Sequence, residues 1–291
     1  MKKPAAQAPR IEFVDVDGVM LRVATREGRG VPLLVFNGIG ANLEVVFPFI
    51  EALAGREIVI FDMPGIGGSP VSLVPRRFSG IAALTSRLLD RLGYREVDVA
   101  GVSWGGAVAQ QFARQYRTRV RRLVLAATSA GAIMVPGRPS ALLKMTTPRR
   151  YLSPTYMQQA AGEIYGGEVR EQPDLIAAHT ARIIPPRVLG YLYQLYAGMG
   201  WTSIHWLHRL KQPTLIMAGS DDPLVPPVNA RILSMCIPNN RLYIVAGGGH
   251  LFMLHRLAEI GPVIGEFLDA PDAAAAIATA ERKRGQAPFP T

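Results

Sequence analysis

Gly101-Val102-Ser103-Trp104-Gly105-Gly106 closes a strand-forming apolar run at 97–100 and opens a helix-forming stretch at 107–116. A serine flanked by glycines at a strand-to-helix junction is the arrangement in which a tight turn lifts a hydroxyl clear of a sheet. Only glycines let the strand and the helix approach closely enough there. Ser103 is therefore the candidate nucleophile. A bare Gly-x-Ser-x-Gly arises by chance, so the weight rests on the strand before it and the helix after it, and both are present.

Working outward, 11–16 and 19–25 flank Asp17-Gly18 with strand-like residues and read as a β-hairpin. Continuous apolar runs at 31–36 and 57–61 alternate with helical stretches at 43–53 and 81–92, and 122–127 continues the series. This pattern predicts an α/β fold, a mostly parallel central sheet with helices on both faces. It breaks between Ser129 and about Lys211, a segment with prolines throughout and six of the nine tyrosines. Strands resume at 214–218 and 242–245, and a final helix is expected at 254–268. The order predicts a core of residues 1–128 and 211–270, an inserted helical cap at 129–210, and a flexible, basic, Ala/Pro-rich tail at 271–291. Tyr191, Tyr193, Tyr196, Trp201 and Trp206 either fasten that cap to the core or line an acyl or polymer groove beneath it.

With 49% hydrophobic residues, the 291-residue chain has material for a large core, and no run of about 18 apolar residues marks a transmembrane helix. The basic first ten residues are not followed by the apolar stretch of a secretory signal, so a cytoplasmic location is expected. A lone cysteine, Cys236, excludes an internal disulfide framework and a Cys-x-x-Cys cluster, and is expected to be buried as a small hydrophobe. No metal and no cofactor is expected. The net charge of +10 is concentrated at 114–122, 149–150 and 282–284. Such clusters suit nucleic acid, anionic lipid or an acidic granule surface, but no nucleic-acid motif accompanies them, which favours a solvated surface.

A serine hydroxyl at its ordinary pKa is a poor nucleophile and needs a base within hydrogen-bond reach, with a third group to orient that base. Asp222 lies directly after the strand 214–218, and His250 follows the strand 242–245 and Gly247-Gly248-Gly249. Both fall at carboxyl ends of strands, on the sheet edge that carries Ser103, where open α/β sheets bind ligands. His179, His205, His208 and His255 follow no terminal strand and read as packing or surface residues. Serine at the turn, rather than aspartate or cysteine, implies an acyl-serine intermediate resolved by water.

The order Ser, Asp, His, together with the turn, resembles the α/β-hydrolase fold. That resemblance implies two oxyanion donors, the backbone N–H of Trp104 and one from the loop Asn37-Gly38-Ile39-Gly40, assigned to Ile39. It also selects Asp222 over Asp221, as the third residue after Gly219 in a Gly-x-x-Asp-x-x-x-Pro pattern. Five runs go further: VFNGIGANLEVVFPFIEAL (35–53), GVSWGGAVAQQFA (101–113), LVLAATSAGAIMVPG (123–137), PRRYL (148–152) and YLYQLYAGMGWTSIHWLH (191–208). Together, over roughly residues 11–269, they resemble the intracellular depolymerases of medium-chain-length polyhydroxyalkanoates, bacterial storage polyesters. The resemblance implies Ser103, Asp222 and His250 as catalytic triad, and hydrolysis of a granule-bound polyester to 3-hydroxy acid monomers or oligomers. Composition and spacing alone stop at a serine ester hydrolase. A carboxylesterase or lipase on small or lipid esters is then the alternative, and a non-catalytic binding protein on the same fold a lesser one. The stretch 245–249 departs from the pattern in carrying no acidic residue, and the tail from Pro271 matches nothing in it.

Overall fold

A computed structural model describes residues 8–172 and 174–278. Eight strands form one sheet in the order β1-β2-β4-β3-β5-β6-β7-β8. The strands are β1 Arg10–Val16, β2 Val19–Arg26, β3 Arg29–Phe36, β4 Arg56–Phe61, β5 Val97–Val102, β6 Val120–Ala126, β7 Thr214–Gly219 and β8 Asn240–Val245. The β1–β2 hairpin turns at Asp17-Gly18, where both residues have positive φ, and β2 adds to β4 antiparallel; the other pairings are parallel.

The apolar runs become strands buried on both faces, between two helical layers. One layer is α2 (Phe78–Arg91), α3 (Trp104–Gln115) and α10 (Val228–Cys236), and the other is α1 (Phe47–Ala52), α11 (Phe252–His255) and α12 (Leu257–Asp269). Fully buried anchors such as Phe36 and Phe112 in the first layer and Phe49 and Phe267 in the second each contribute about 1.5–3 kcal/mol of burial. The helix expected over 43–53 divides into a 3-10 turn, Leu43–Val46, and α1, which has Pro48 in its first turn. Proline fits a helix start, where its missing N–H has no partner to lose.

Between β6 and β7 the chain inserts α4 (Pro139–Met145), α5 (Arg149–Leu152), α6 (Pro154–Tyr165), α7 (Gly167–Glu171), α8 (Asp174–Thr180) and α9 (Val188–Gly198). Residues 201–210 of the insertion return to the core. Thr202 bridges to Gly131, the Ser203 hydroxyl donates to Gln110 Oε1 (2.6 Å), and the Trp201 indole donates to Gln111 Oε1 (2.9 Å).

One expectation needs correction. The basic stretch 114–122 is in large part internal structure rather than solvated surface. Arg119 donates to Asp90 and to the carbonyls of Ser86 and Tyr94, Arg121 pairs with buried Asp98, and Arg122 donates to the carbonyls of Leu268 and Ala270. These arginines fasten the amino end of β6 to its neighbours. The tail begins as a helix, α13 (Ala273–Ala278), with Ala276 buried; residues 279–291, with the basic group at 282–284, lie outside the described residues, as do 1–7. Cys236 is half-buried.

The turn between β5 and α3 depends on close approach. Ser103 has φ 55° and ψ −119°, and its N–H donates to Ala126 O (2.9 Å). A Cβ on Gly105 would lie 2.3 Å from Phe36 O and 2.4 Å from Asn37 O, and one on Gly101 would lie 2.4 Å from Gly105 O. These obstacles are backbone atoms and cannot rotate away. Gly105→Ala is therefore expected to cost about 3 kcal/mol or more in urea unfolding. Gly265→Ala, in α12 with nothing within 4 Å of the added atom, is expected to be neutral or to add up to about 1 kcal/mol; equal effects at the two sites would contradict the packing argument.

Candidate active site

The registers Phe36↔Gly101, Val102↔Ala126, Ala126↔Met217 and Gly219↔Val245 align the carboxyl ends of β3, β5, β6, β7 and β8. The loops that leave this edge carry Asn37-Gly38-Ile39-Gly40, Ser103, Asp222 and His250, so side chains 147 residues apart in the chain meet. His250 Nε2 is 3.0 Å from Ser103 Oγ, and His250 Nδ1 is 2.7 Å from Asp222 Oδ2. Asp222 Oδ1 accepts from the backbone N–H of Leu224 and Val225, both at 2.9 Å. A carboxylate fixed in this way accepts the Nδ1 proton and leaves Nε2 free to accept from the serine hydroxyl. Asp222 and His250 are 4% and 5% exposed.

Asp221 is not at the imidazole. Its carboxylate accepts from Gly167 N (2.9 Å) and pairs with Arg170 (2.7 Å), which ties the loop to α7 rather than to the helix that follows it. His250 is held from the same side: its N–H donates to Tyr165 O (2.6 Å), and the Tyr165 ring stacks on the imidazole. Glu168 of α7 accepts from Gly249 N (3.3 Å) in the stretch 245–249 and pairs with Arg256 (2.6 Å).

Among the described residues, the backbone N–H groups of Ile39 and Trp104 make no intramolecular hydrogen bond. Asn37 orders the Ile39 loop: its amide donates to Asn42 O (2.8 Å), and its carbonyl accepts from Gly38 N (3.0 Å). Gln194, buried on α9, was not singled out in the sequence, yet it joins the two halves. Its side chain accepts from Gly40 N (2.7 Å), and its backbone carbonyl accepts from the Trp104 indole (2.8 Å). Its only sequence signal is a place inside the run 191–208, where the aromatics draw attention away from it.

A cavity of about 660 Å³, counting its open mouth, adjoins Ser103. Its apolar wall comes from Val45, Val46 and Phe49 on one side and Leu251 and Leu254 on another; Met145, Tyr151 and Tyr165 of the insertion complete it. None of Tyr191, Tyr193, Tyr196, Trp201 and Trp206 borders this space. Tyr191 is fully buried, with its hydroxyl donating to Met145 O (2.6 Å) and accepting from Arg150 (2.8 Å). Tyr193 borders a smaller hollow with Trp104 and Gln194, Tyr196 lies exposed under Arg77, and Trp201 and Trp206 pack on the core. Aromatic density marks a packed segment but does not say which way its rings face.

His179 also lines the cavity, buried edge-on to the Tyr165 ring. Burial and the nearby His255, Arg150 and Arg182 push it down to about 4, so it is neutral at physiological pH.

A family model described as the alpha/beta hydrolase fold matches residues 31–256, and the chain belongs to that family. It is 52% identical over 258 residues to the poly(3-hydroxyalkanoate) depolymerase of Ectopseudomonas oleovorans, an alignment covering 88% of this chain and 91% of that one. By this relation it belongs with that depolymerase and is an ester hydrolase. Two solved structures share the fold. A meta-cleavage product hydrolase from Pseudomonas fluorescens has a TM-score of 0.76 at 19% identity, covering 90% of this chain and 98% of that one. An enol-lactonase from Burkholderia xenovorans has a TM-score of 0.75 at 19% identity, covering 88% and 99%. Among the described residues no helix is long and apolar enough to cross a membrane.

The His179 environment gives a pH test. The unfolded chain protonates this imidazole below about pH 6.5, while the folded protein resists until about 4. The stability it supports is therefore present above pH 6.5 and lost as the pH falls towards 4. Relative to wild type, His179→Leu should gain up to about 3 kcal/mol in unfolding free energy across that window. A difference that stays flat with pH would contradict the assignment.

Proposed function

We propose that this chain hydrolyses the ester bonds of medium-chain-length poly(3-hydroxyalkanoate) through an acyl-serine intermediate, at the surface of storage granules in the cytoplasm. The observation that carries the reading is the Ser103–His250–Asp222 relay opening onto an apolar cavity, in a chain 52% identical to a poly(3-hydroxyalkanoate) depolymerase. Ser103 Oγ attacks the ester carbonyl as His250 Nε2 takes its proton, and Asp222 stabilises the resulting imidazolium. The N–H groups of Ile39 and Trp104 hold the developing oxyanion. The imidazolium protonates the departing alkoxide, which leaves as the hydroxyl end of one fragment, and a water then repeats the sequence on the acyl-serine to release the other fragment as a free acid. The wall of Val45, Val46, Phe49 and Leu254 suits an alkyl side chain, since the burial of each methylene contributes about 0.8 kcal/mol.

A face for the granule is available on the insertion. Val188, Leu189 and Leu192 of α9 are roughly half exposed, Met199 beyond its end more so, and Leu73 and Val74 are exposed on the loop whose Arg77 donates to Tyr196 O and Met199 O. Apolar exposure clustered in this way marks a surface for an apolar partner.

Ser103→Ala should lower kcat about 10³-fold or more on p-nitrophenyl octanoate and on granules while the protein stays folded; activity retained within tenfold would remove Ser103 from the role. Release of 3-hydroxyoctanoate-type acids from purified granules tests the substrate, and a protein that cleaves the soluble ester but leaves granules intact is a carboxylesterase or lipase. Leu189→Gln with Leu192→Gln should lower granule turnover several-fold and retain soluble-ester hydrolysis, whereas an equal loss on both substrates would locate the effect away from docking.

A further inference from the structure

Arg150 is 1% exposed, yet it borders the cavity that contains Ser103. Of its five N–H groups, Nη1 donates to the Tyr191 hydroxyl (2.8 Å) and Nη2 to the Ile39 carbonyl (3.3 Å). Its Nε is buried without a hydrogen-bond partner. The surroundings are aromatic, with the Tyr151 and Tyr191 ring centres 4.3 and 5.4 Å from the guanidinium and the Tyr165 hydroxyl nearby. Burial pushes the Tyr165 and Tyr191 phenols upward, so they stay neutral. Among the described residues no Asp or Glu oxygen lies within 4.0 Å of Arg150. Arg241 on β8 is also buried with Nε and Nη1 unpartnered, but it does not border the cavity; the remaining buried arginines are satisfied within the fold. Arg26 and Arg122 donate to backbone carbonyls at helix ends, and Arg56 pairs with Asp98 and Asp269.

Propping the Ile39 carbonyl does not require a cation, because the Tyr151 hydroxyl already donates to it at 2.8 Å. A buried guanidinium with spare donors and no counter-charge is unfavourable in an empty site and complements a carboxylate, whose two oxygens match its fork. The geometry points to a carboxylate-binding subsite centred on Arg150, which holds the free acid end of a 3-hydroxyacyl unit beside Ser103. This rests on the polyester reading above. In a terminal unit, three bonds separate the scissile ester oxygen from the carboxylate carbon, about 4 Å. Ile39 spans a similar distance, about 3–4 Å from its N–H to its carbonyl, and the same residue faces the oxyanion at one end and Arg150 at the other. A chain bound by its acid end therefore presents its last ester to Ser103 and loses one monomer per turnover, and the released 3-hydroxy acid competes for the same site.

The test uses wild-type enzyme first. 3-Hydroxyoctanoate should inhibit p-nitrophenyl octanoate hydrolysis at least tenfold more strongly than its methyl ester, which reads the product as ligand. The linear dimer of 3-hydroxyoctanoate should be cleaved with at least tenfold higher kcat/KM than its methyl ester, which reads the chain end. Arg150→Met should bring each preference shown by wild type to within about twofold of unity, and Arg150→Lys should retain part of it. These are ratios within one protein, so a disturbed oxyanion loop alone does not move them. Acids that show no advantage over their methyl esters in either assay overturn the subsite, as does an advantage unchanged in folded Arg150→Met. If that variant does not fold, Arg150→Lys and the wild-type ratios decide. Failure to degrade granules with these ratios intact would refute the polymer substrate while leaving the subsite standing.

Discussion

Everything at the catalytic edge depends on one backbone constraint, the reversal at Ser103 between β5 and α3. A serine at φ 55° occupies a region that L-residues avoid, at a cost on the order of 1–3 kcal/mol. The surroundings over-determine it: Ser103 N–H donates to Ala126 O, Ser103 O accepts from Gly106 N–H and the Thr128 hydroxyl, and the glycine contacts leave no room for a wider turn. The reward is positional. A hydroxyl lifted off the sheet edge is what His250 reaches, and it leaves the Trp104 N–H at the first turn of α3, where a helix has no internal acceptor for it.

The insertion between β6 and β7 completes this edge as much as it covers it. Tyr165 fixes His250 through its carbonyl, Glu168 and Gly167 fix the loops around Gly249 and Asp221, and Gln194 links the Gly40 loop to Trp104. Displacing the insertion would loosen His250, the loop that carries Asp222 and the Gly40 loop together. Access to the cavity and alignment of the side chains around Ser103 are therefore coupled through the same helices.

The parallel part of the sheet was legible because its strands are largely buried and read as unbroken apolar runs; the strand ends follow from those runs within one or two residues. The meeting of Ser103, Asp222 and His250 was legible because strand ends are recognisable and each of the three follows one. What stayed hidden depends on direction rather than composition. The rings of Tyr191, Trp201 and Trp206 point into packed interior, and the cavity takes its aromatics from Phe49 of the core and from Tyr151 and Tyr165, which have no distinguishing spacing. The arginines at 119–122 read as charge in the sequence, but carbonyls at the ends of neighbouring elements absorb them. His179 and Gln194 lie in short helices whose apolar period is too brief to show which side chains turn inward.

The central claim is that a single serine carries the polyester chemistry. Titrating the protein with a fluorophosphonate while following release of 3-hydroxy acids from medium-chain polyester, with mass mapping of the adduct, measures it. The expected result is activity falling in step with one adduct per chain, located on Ser103. Polyester turnover that persists with Ser103 fully modified would contradict it.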